Sequence, residues 1–329
     1  MLKVALTIDT EFWPCDGEWP DHTLPRPLTG LDEAYRRGVL GRTAAGDFGV
    51  PYLLQSLARH HLHGVFFVES LSSSAVGDEW LRRTVRAITD SKQEVQLHLH
   101  TEWLSEISVP GLPLKVCQNL GEYSLEEQTA IVRHGLANLR AAGAHDVSAL
   151  RAGNMGGSGD TPAAARAAGL SLDMSFDPTR GSGIRALLES MRGRPASADA
   201  CPTVPLSFVE DYPGHYRPAQ LTALSFREMR RALFNAAREE WPCFVILLHS
   251  FELVRSTVPM GPLRRHWINI ARWNNLCSFL AQHRDQFTTI GCPALSEGAE
   301  FTRLPTPSSR TLALDTAWRL GEQIASRFI

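Results

Sequence analysis

The sequence predicts an α/β protein of parallel βα units, closed into a β/α barrel in preference to an open sheet. Three observations carry this. Short apolar, β-branched or aromatic runs alternate with longer stretches of helical periodicity, and strands separated by helices of that length pair in parallel. Seven or eight such units follow one another along the chain, which favours a barrel. Ionisable residues also stand just where five of the runs end, the place from which barrel strands deliver side chains to a common mouth.

The elements follow in order. Candidate strands are Lys3–Ile8, Gly64–Val68, Glu94–Leu99, Val147–Arg151, Leu172–Ser175, Val204–Phe208, Cys243–Leu248 and Phe287–Ile290. Between them, helical patterns run over 48–62, 79–91, 124–143, 160–169, 225–240 and 265–284. The clearest start is the capping box Ser124-Leu-Glu-Glu127, where the Ser hydroxyl takes an orphan N–H and the Glu reaches back. Ile131, Leu136 and Leu139 then recur at helical spacing until Gly143 stops the helix. Two long loops, 12–46 and 104–123, interrupt the alternation, and loops of that length in a compact domain are usually functional or disordered. Leu304–Ser309 reads as a linker and Thr311–Ile329 as a tail helix that docks on its own barrel, mediates an oligomer or meets a partner. The expected organisation is one barrel over 1–297, then linker and helix over 298–329.

Composition narrows the class. At 329 residues, with 43% hydrophobic and 21% charged, the chain has the ordinary balance of a globular protein with a large core. A formal charge of −2 argues against a nucleic-acid-binding surface. The apolar runs are far short of the ~20 residues of a transmembrane helix. The start, Met-Leu-Lys-Val-Ala-Leu-Thr-Ile-Asp, lacks the apolar stretch and cleavage site of a secretory signal. The six cysteines are scattered without metal-like spacing. A cytoplasmic location is therefore expected. Lys3, Lys92 and Lys115 are the only lysines among 33 basic residues; guanidinium groups suit phosphate recognition, but codon bias in a GC-rich genome is the plainer account.

Chemistry collects where the runs stop. The first ends in Thr7-Ile-Asp-Thr-Glu11, the third in Leu97-His-Leu-His-Thr-Glu102, the fourth in Leu150-Arg-Ala-Gly-Asn154, the fifth in Leu172-Asp-Met-Ser175, and the seventh in Leu247-Leu-His-Ser-Phe-Glu252. Spacing by two points Asp9 with Glu11, and His98 with His100, to one face. A single ionisable residue after a strand is commonly a cap or a surface group. Five converging on one mouth must pair with each other, a metal or a substrate, because unpaired charge is costly to desolvate. Two imidazoles and a carboxylate make a divalent-metal set with open positions. A metal-bound water near a carboxylate base, with a histidine acid across the mouth, is machinery for hydrolysing an amide or ester.

With these motifs in this order, the chain resembles the polysaccharide deacetylase family, the NodB-homology or carbohydrate esterase 4 type. The motifs are the acidic Thr7–Glu11, His98–Glu102, Arg151-Ala-Gly, Asp173-Met-Ser and Leu247-Leu-His249, and Gly64-Val-Phe-Phe-Val68 looks like the family's second strand. The likeness spans residues 3 to about 291. It implies a distorted (β/α)7 barrel and N- or O-deacylation of a sugar, as deacetylase or deformylase, with a divalent metal, zinc foremost. By position, Asp9 would be the base, His249 the acid, Arg151 the residue that holds the base, and Asp173 one that orients the acid or the Arg.

The sequence departs from the family pattern in three places. The usual Asp-Asp is Asp9-Thr10-Glu11, so Glu11 or Asp9 itself supplies the acidic ligand. The usual His-x-x-x-His is His98-x-x-x-Glu102 with His100 between, which makes His100 the favoured third ligand and Glu102 the alternative. The Arg motif lacks its proline. These variants look like an intracellular, glycan-building branch of the family, and with no signal they point to an amino-sugar derivative carried by a nucleotide or lipid. Trp13, Trp19 and Trp103 are candidates to stack on a sugar ring, and Glu252 to touch substrate. Two other readings stay open: a metal-independent hydrolase of cyclic amides or ureides, and an inactive glycan-binding relative.

Overall fold

The computed structural model describes residues 1–12, 30–180, 199–258, 261–296 and 313–328. Trp13, Trp19 and the expected linker lie outside the described residues. Seven strands are parallel to their neighbours: β1 (Leu2–Thr10), β2 (Gly64–Glu69), β3 (Glu94–Leu99), β4 (Ala149–Ala152), β5 (Leu172–Asp173), β6 (Phe244–His249) and β7 (Phe287–Thr289). Their order is β6-β1-β2-β3-β4-β5, with β7 against the start of β1. The main helices are α1 (Val50–His60), α2 (Glu79–Asp90), α3 (Leu125–Ala141), α4 (Thr161–Ala167), α5 (Phe226–Arg238), α6 (Trp267–Gln282) and α7 (Ala313–Phe328). The first six fall on the helical patterns of the sequence. The expected capping box opens α3: the Ser124 hydroxyl accepts from Glu127 N–H, and the Glu127 carboxylate from Ser124 N–H. The curled sheet with its flanking helices is a distorted (β/α) barrel.

The expected strand Val204–Phe208 takes a different form. Its span contains Pro205 and follows Pro202, and proline has no N–H to give a ladder. Residues 202–207 instead run as an irregular extended segment bonded on both sides. Asp173 N–H donates to Pro202 O and Val204 N–H to Asp173 O, while Ser207 N–H donates to Val245 O. The segment thus completes the circuit between β5 and β6. Phe208 begins a separate hairpin, Phe208–Tyr212 with His215–Pro218.

The strand period of two sorts side chains between two cores. Val4, Leu6 and Ile8, with Val95, Leu97 and Leu99 and with Phe244, Ile246 and Leu248, belong to the cluster that includes the buried faces of the helices. Ala5, Val65, Phe67, Ala149, Leu172, Val245 and Leu247 form the other cluster, inside the barrel. Continued two residues at a time, that inner face reaches Asp9, Glu69, Arg151 and His249, and on β3 it carries His98, with His100 next in step. In register, Asp9 lies opposite His249, and His98 opposite Arg151. Alternation and register bring the motifs to one end of one cavity.

The tail helix docks on the barrel. Arg319 of α7 is 1% exposed and meets Asp211 at 3.2 Å and Glu228 of α5 at 3.1 Å; Asp315 pairs with Arg231 and Glu322 with Arg272. No helix among the described residues is long and apolar enough to cross a membrane. Removing one partner of a buried ion pair strands the other charge, at a cost of ~3–5 kcal/mol. Arg319→Ala is expected to lower unfolding free energy by about 3 kcal/mol in denaturant titration; a change below about 0.5 kcal/mol would show that the helix docks by other means.

Candidate active site at the barrel mouth

Glu11, His98 and His100 each bring one donor atom into a group whose members lie within 4.8 Å of one another, all three buried. Glu11 Oε2 is 3.2 Å from His98 Nε2 and 2.5 Å from His100 Nε2. The other ring nitrogens are already committed. His98 Nδ1–H donates to the Arg151 carbonyl at 2.8 Å, and His100 Nδ1–H to Glu102 at 3.2 Å. Each imidazole, if neutral, therefore aims a bare Nε2 lone pair at a carboxylate oxygen. Acceptors facing acceptors are stable only with protons or a cation between them. Burial by itself would raise the Glu11 carboxyl; the charge and hydrogen bond of His100, with those of His98, outweigh it and hold the group well below the ordinary range. Burial would lower His100, but Glu11 and Glu102 lift it well above the usual imidazole value. Two Nε2 atoms and one carboxylate, oriented from behind by a carbonyl and a carboxylate, are a donor set that fits a metal ion.

Beside this set, Asp9 stands between a cation and a second imidazole. Arg151 Nη1 donates to Asp9 Oδ1 at 2.6 Å, with both side chains buried, and His249 Nε2 lies 4.0 Å from Asp9 Oδ2. That gap is too long for a hydrogen bond. His249 Nδ1 is 2.8 Å from Glu252 Oε1. Burial pushes His249 down, but the hydrogen bond and charge of Glu252, then the charges of Asp9 and Glu11, raise it to about 9.

The structure brings Asp9, Glu11, His98, His100, Arg151 and His249 together. Three expectations change. Glu102 does not share the group of converging donors; it is fully buried behind His100, with its other oxygen accepting from Asn154 Nδ2 at 2.9 Å. Asp173 orients neither the acid nor, by any hydrogen bond among the described residues, Arg151. Leu172 takes the inner face of β5, so its neighbour Asp173 turns the other way and accepts from Ser175 N–H and the Thr203 hydroxyl. Trp103 is 0% exposed and packs edge-on against Phe12, so it is core, with no face for a sugar.

Sequence reasoning missed Gly153 as a site residue. A Cβ there would lie 2.6 Å from His100 Nδ1 and 2.7 Å from two ring carbons, so the third residue of Arg151-Ala-Gly must lack a side chain for the imidazole to sit where it does. The missing proline in that motif was the visible signal.

No protein-family model matches the chain, and no curated protein matches it in sequence. Solved structures do. The crystal structure of a "putative polysaccharide deacetylase" from Mycobacterium smegmatis matches with a TM-score of 0.55 at 18% identity, over 95% of this chain and 93% of that one. The fold is the polysaccharide-deacetylase fold. A family 4 carbohydrate esterase from Streptomyces lividans in complex with acetate matches with a TM-score of 0.41 at 12% identity, over 89% and 93% of the two chains. A family 4 pseudoenzyme from Bacillus anthracis matches with a TM-score of 0.40 at 13% identity, over 87% and 63%.

Residues that orient metal ligands from behind are typically worth ~10–100-fold in metal affinity. Gly153→Ala, which displaces the His100 ring, should weaken divalent-ion binding by about that factor in isothermal titration. Unchanged affinity would remove His100 from the donor set.

Proposed function

We propose that the protein is a metal-dependent carbohydrate deacetylase, a hydrolase that removes an acyl group from an amino-sugar derivative. The observation that carries this reading is the convergence of two sets in one mouth: the Glu11, His98 and His100 donors, and the Asp9–Arg151 pair facing His249 across 4.0 Å. The resemblance in motif order and the deacetylase-type fold support it.

A divalent ion held by Glu11, His98 and His100, zinc foremost, would supply polarisation of the acyl carbonyl and a water of lowered pKa. Asp9 is the base. Arg151 holds Oδ1 and leaves Oδ2 turned toward His249, so Oδ2 takes the proton of the attacking water. As the C–N bond breaks, His249 Nε2–H passes its proton to the departing amine. Water's oxygen stays with the acyl carbon, and the products are a carboxylate and a free amine. The small-saccharide substrate, nucleotide- or lipid-linked, belongs to the same proposal.

The pH dependence follows with its sign. An acid must carry its proton, and a raised pKa keeps that proton until pH climbs past the raised value. His249 rises from 6.5 to about 9 with part of its support from Glu11. A cation on Glu11 withdraws that part, so the alkaline limb of kcat is expected between those values. His249→Ala should lower kcat by ~10²–10⁴-fold on an N-acetylated glucosamine oligosaccharide, followed by acetate release. Retained turnover in His249→Ala would take the acid role from it. Chelation should abolish acetate release and added zinc restore it; full activity in protein shown by metal analysis to hold none would sink the metal-dependent reading.

A further inference from the structure

We infer that Glu252 is the positioning residue of the acid: by accepting the Nδ1–H of His249 it fixes the tautomer that leaves Nε2 as the proton carrier facing Asp9. The inference rests on the reading of His249 as acid and assigns Glu252 the part that the family resemblance gave to Asp173.

The geometry is specific. Glu252 Oε1 is 2.8 Å from His249 Nδ1, three residues back along the chain. The turn between them is tied down from three sides. Ser250 N–H donates to the Asp9 carbonyl at 2.9 Å, and its hydroxyl donates to Gly38 O at 2.7 Å. Asn269 of α6 holds the Glu252 carbonyl at 2.8 Å. Gln220, which bridges to Leu247 of β6, donates its amide to Glu252 Oε1 at 2.5 Å. The carboxylate therefore reaches the imidazole already oriented. Its second oxygen, Oε2, is buried with no hydrogen-bond partner among the described residues, so the carboxylate's named donors all converge on Oε1. Leaving a buried acceptor unmet is costly, and a residue serving stability alone gains nothing by it.

The other groups around His249 do not duplicate this contact. Asp9 on β1 faces the opposite ring nitrogen, Nε2, across 4.0 Å. Glu11 acts through its charge alone, and the Phe251 ring stacks at 5.3 Å with no polar atom to offer. Gln220 Nε2 lies 3.5 Å from Nδ1 and, as an amide nitrogen that only donates, cannot accept the ring proton. With Nδ1–H held by Glu252, Nε2 gains and loses the proton. Without it, the neutral ring is free to carry its proton on Nε2 with Nδ1 bare, or to turn over.

The test uses the full-length, metal-loaded protein, with His249 identified in the imidazole ¹⁵N–¹H spectrum by its absence in His249→Ala. In the parent, Nδ1–H is expected to stay bonded as pH is raised. In Glu252→Gln the His249 midpoint should fall by about one pH unit, the tenfold change of a lost charge-assisted hydrogen bond, and Glu252→Asp should recover part of it. On the N-acetylated oligosaccharide, Glu252→Gln should lower kcat at least tenfold with KM unchanged. An unmoved midpoint and Nδ1–H signal in Glu252→Gln overturns the inference, as does a rise in KM at constant kcat, which would make Glu252 a substrate contact. If Glu252→Gln does not fold, Glu252→Asp and Gln220→Ala carry the same midpoint measurement. Activity surviving in His249→Ala defeats the acid reading instead, and leaves the spectroscopic result standing by itself.

Discussion

A guanidinium sealed inside a barrel must be satisfied there, and Arg151 is 1% exposed. Its Nη1 takes Asp9, its Nε leans on the Met174 carbonyl at 3.4 Å, and its planar face lies 4.1 Å from the centre of the Phe67 ring. Its own carbonyl accepts from His98 Nδ1. One residue thereby fixes the carboxylate of the proposed base and the tautomer of a proposed metal ligand, from opposite ends of its own structure. An arginine suits this better than a lysine, because a planar fork holds direction as well as charge. With Oδ1 held by Arg151, the other oxygen of Asp9 is the one that faces His249.

Much of this was legible in the sequence because strand geometry has a period of two. Asp9 and Glu11, and His98 and His100, share faces for the reason that they are two apart, and the parallel register levels them with Arg151 and His249. The same parity, applied one residue further, would have placed Asp173 outside: Leu172 is the inner residue on β5. The motif resemblance points the other way, and Asp173 meets Arg151 through charge, with no hydrogen bond between them among the described residues. The closing segment 202–207 escaped because apolar periodicity looks like a strand even where Pro202 and Pro205 deny it a ladder. The hairpin after it has no apolar alternation to announce it: Asp211 pairs with His215, Arg217 and Arg319, and Glu210 accepts from the Gly214 N–H.

The roles of Glu102 and Glu252 were harder to read, and for a different reason. Both stand two or three residues beyond a histidine, where the chain leaves the strand and parity no longer applies. His100 has an extended backbone and is followed by a tight turn over Thr101–Glu106, which swings Glu102 behind the imidazole. Only Gly153 makes room for the ring on its other side. The turn after His249 does the same for Glu252. In each case a carboxylate two or three residues on closes back onto Nδ1, so the two motifs His-x-Glu and His-x-x-Glu produce one local arrangement by different turns.

That shared arrangement bears on how the mouth balances its charge. Glu102 stands behind His100 and Glu252 behind His249, while Glu11 and Asp9 stand in front. With Glu69, whose oxygens accept from the Leu71 and Ser72 N–H groups, five buried carboxylate side chains thus meet three imidazoles and a single guanidinium at the mouth. Neutral imidazoles would leave the carboxylates heavily in excess, at a prohibitive desolvation cost. The two halves meet this differently. Around His249 a proton serves, since Nε2 and Asp9 stand 4.0 Å apart, not joined by a hydrogen bond. Around Glu11 two Nε2 atoms converge on one carboxylate oxygen, and two protons would have to share a place that one divalent cation would fill. The half that favours a proton is the half that can give one away; the half that favours a cation has no such freedom. Dividing a single buried charge excess between a movable proton and a fixed ion would let neighbouring histidines in one mouth serve as the proposed acid and the proposed ligands.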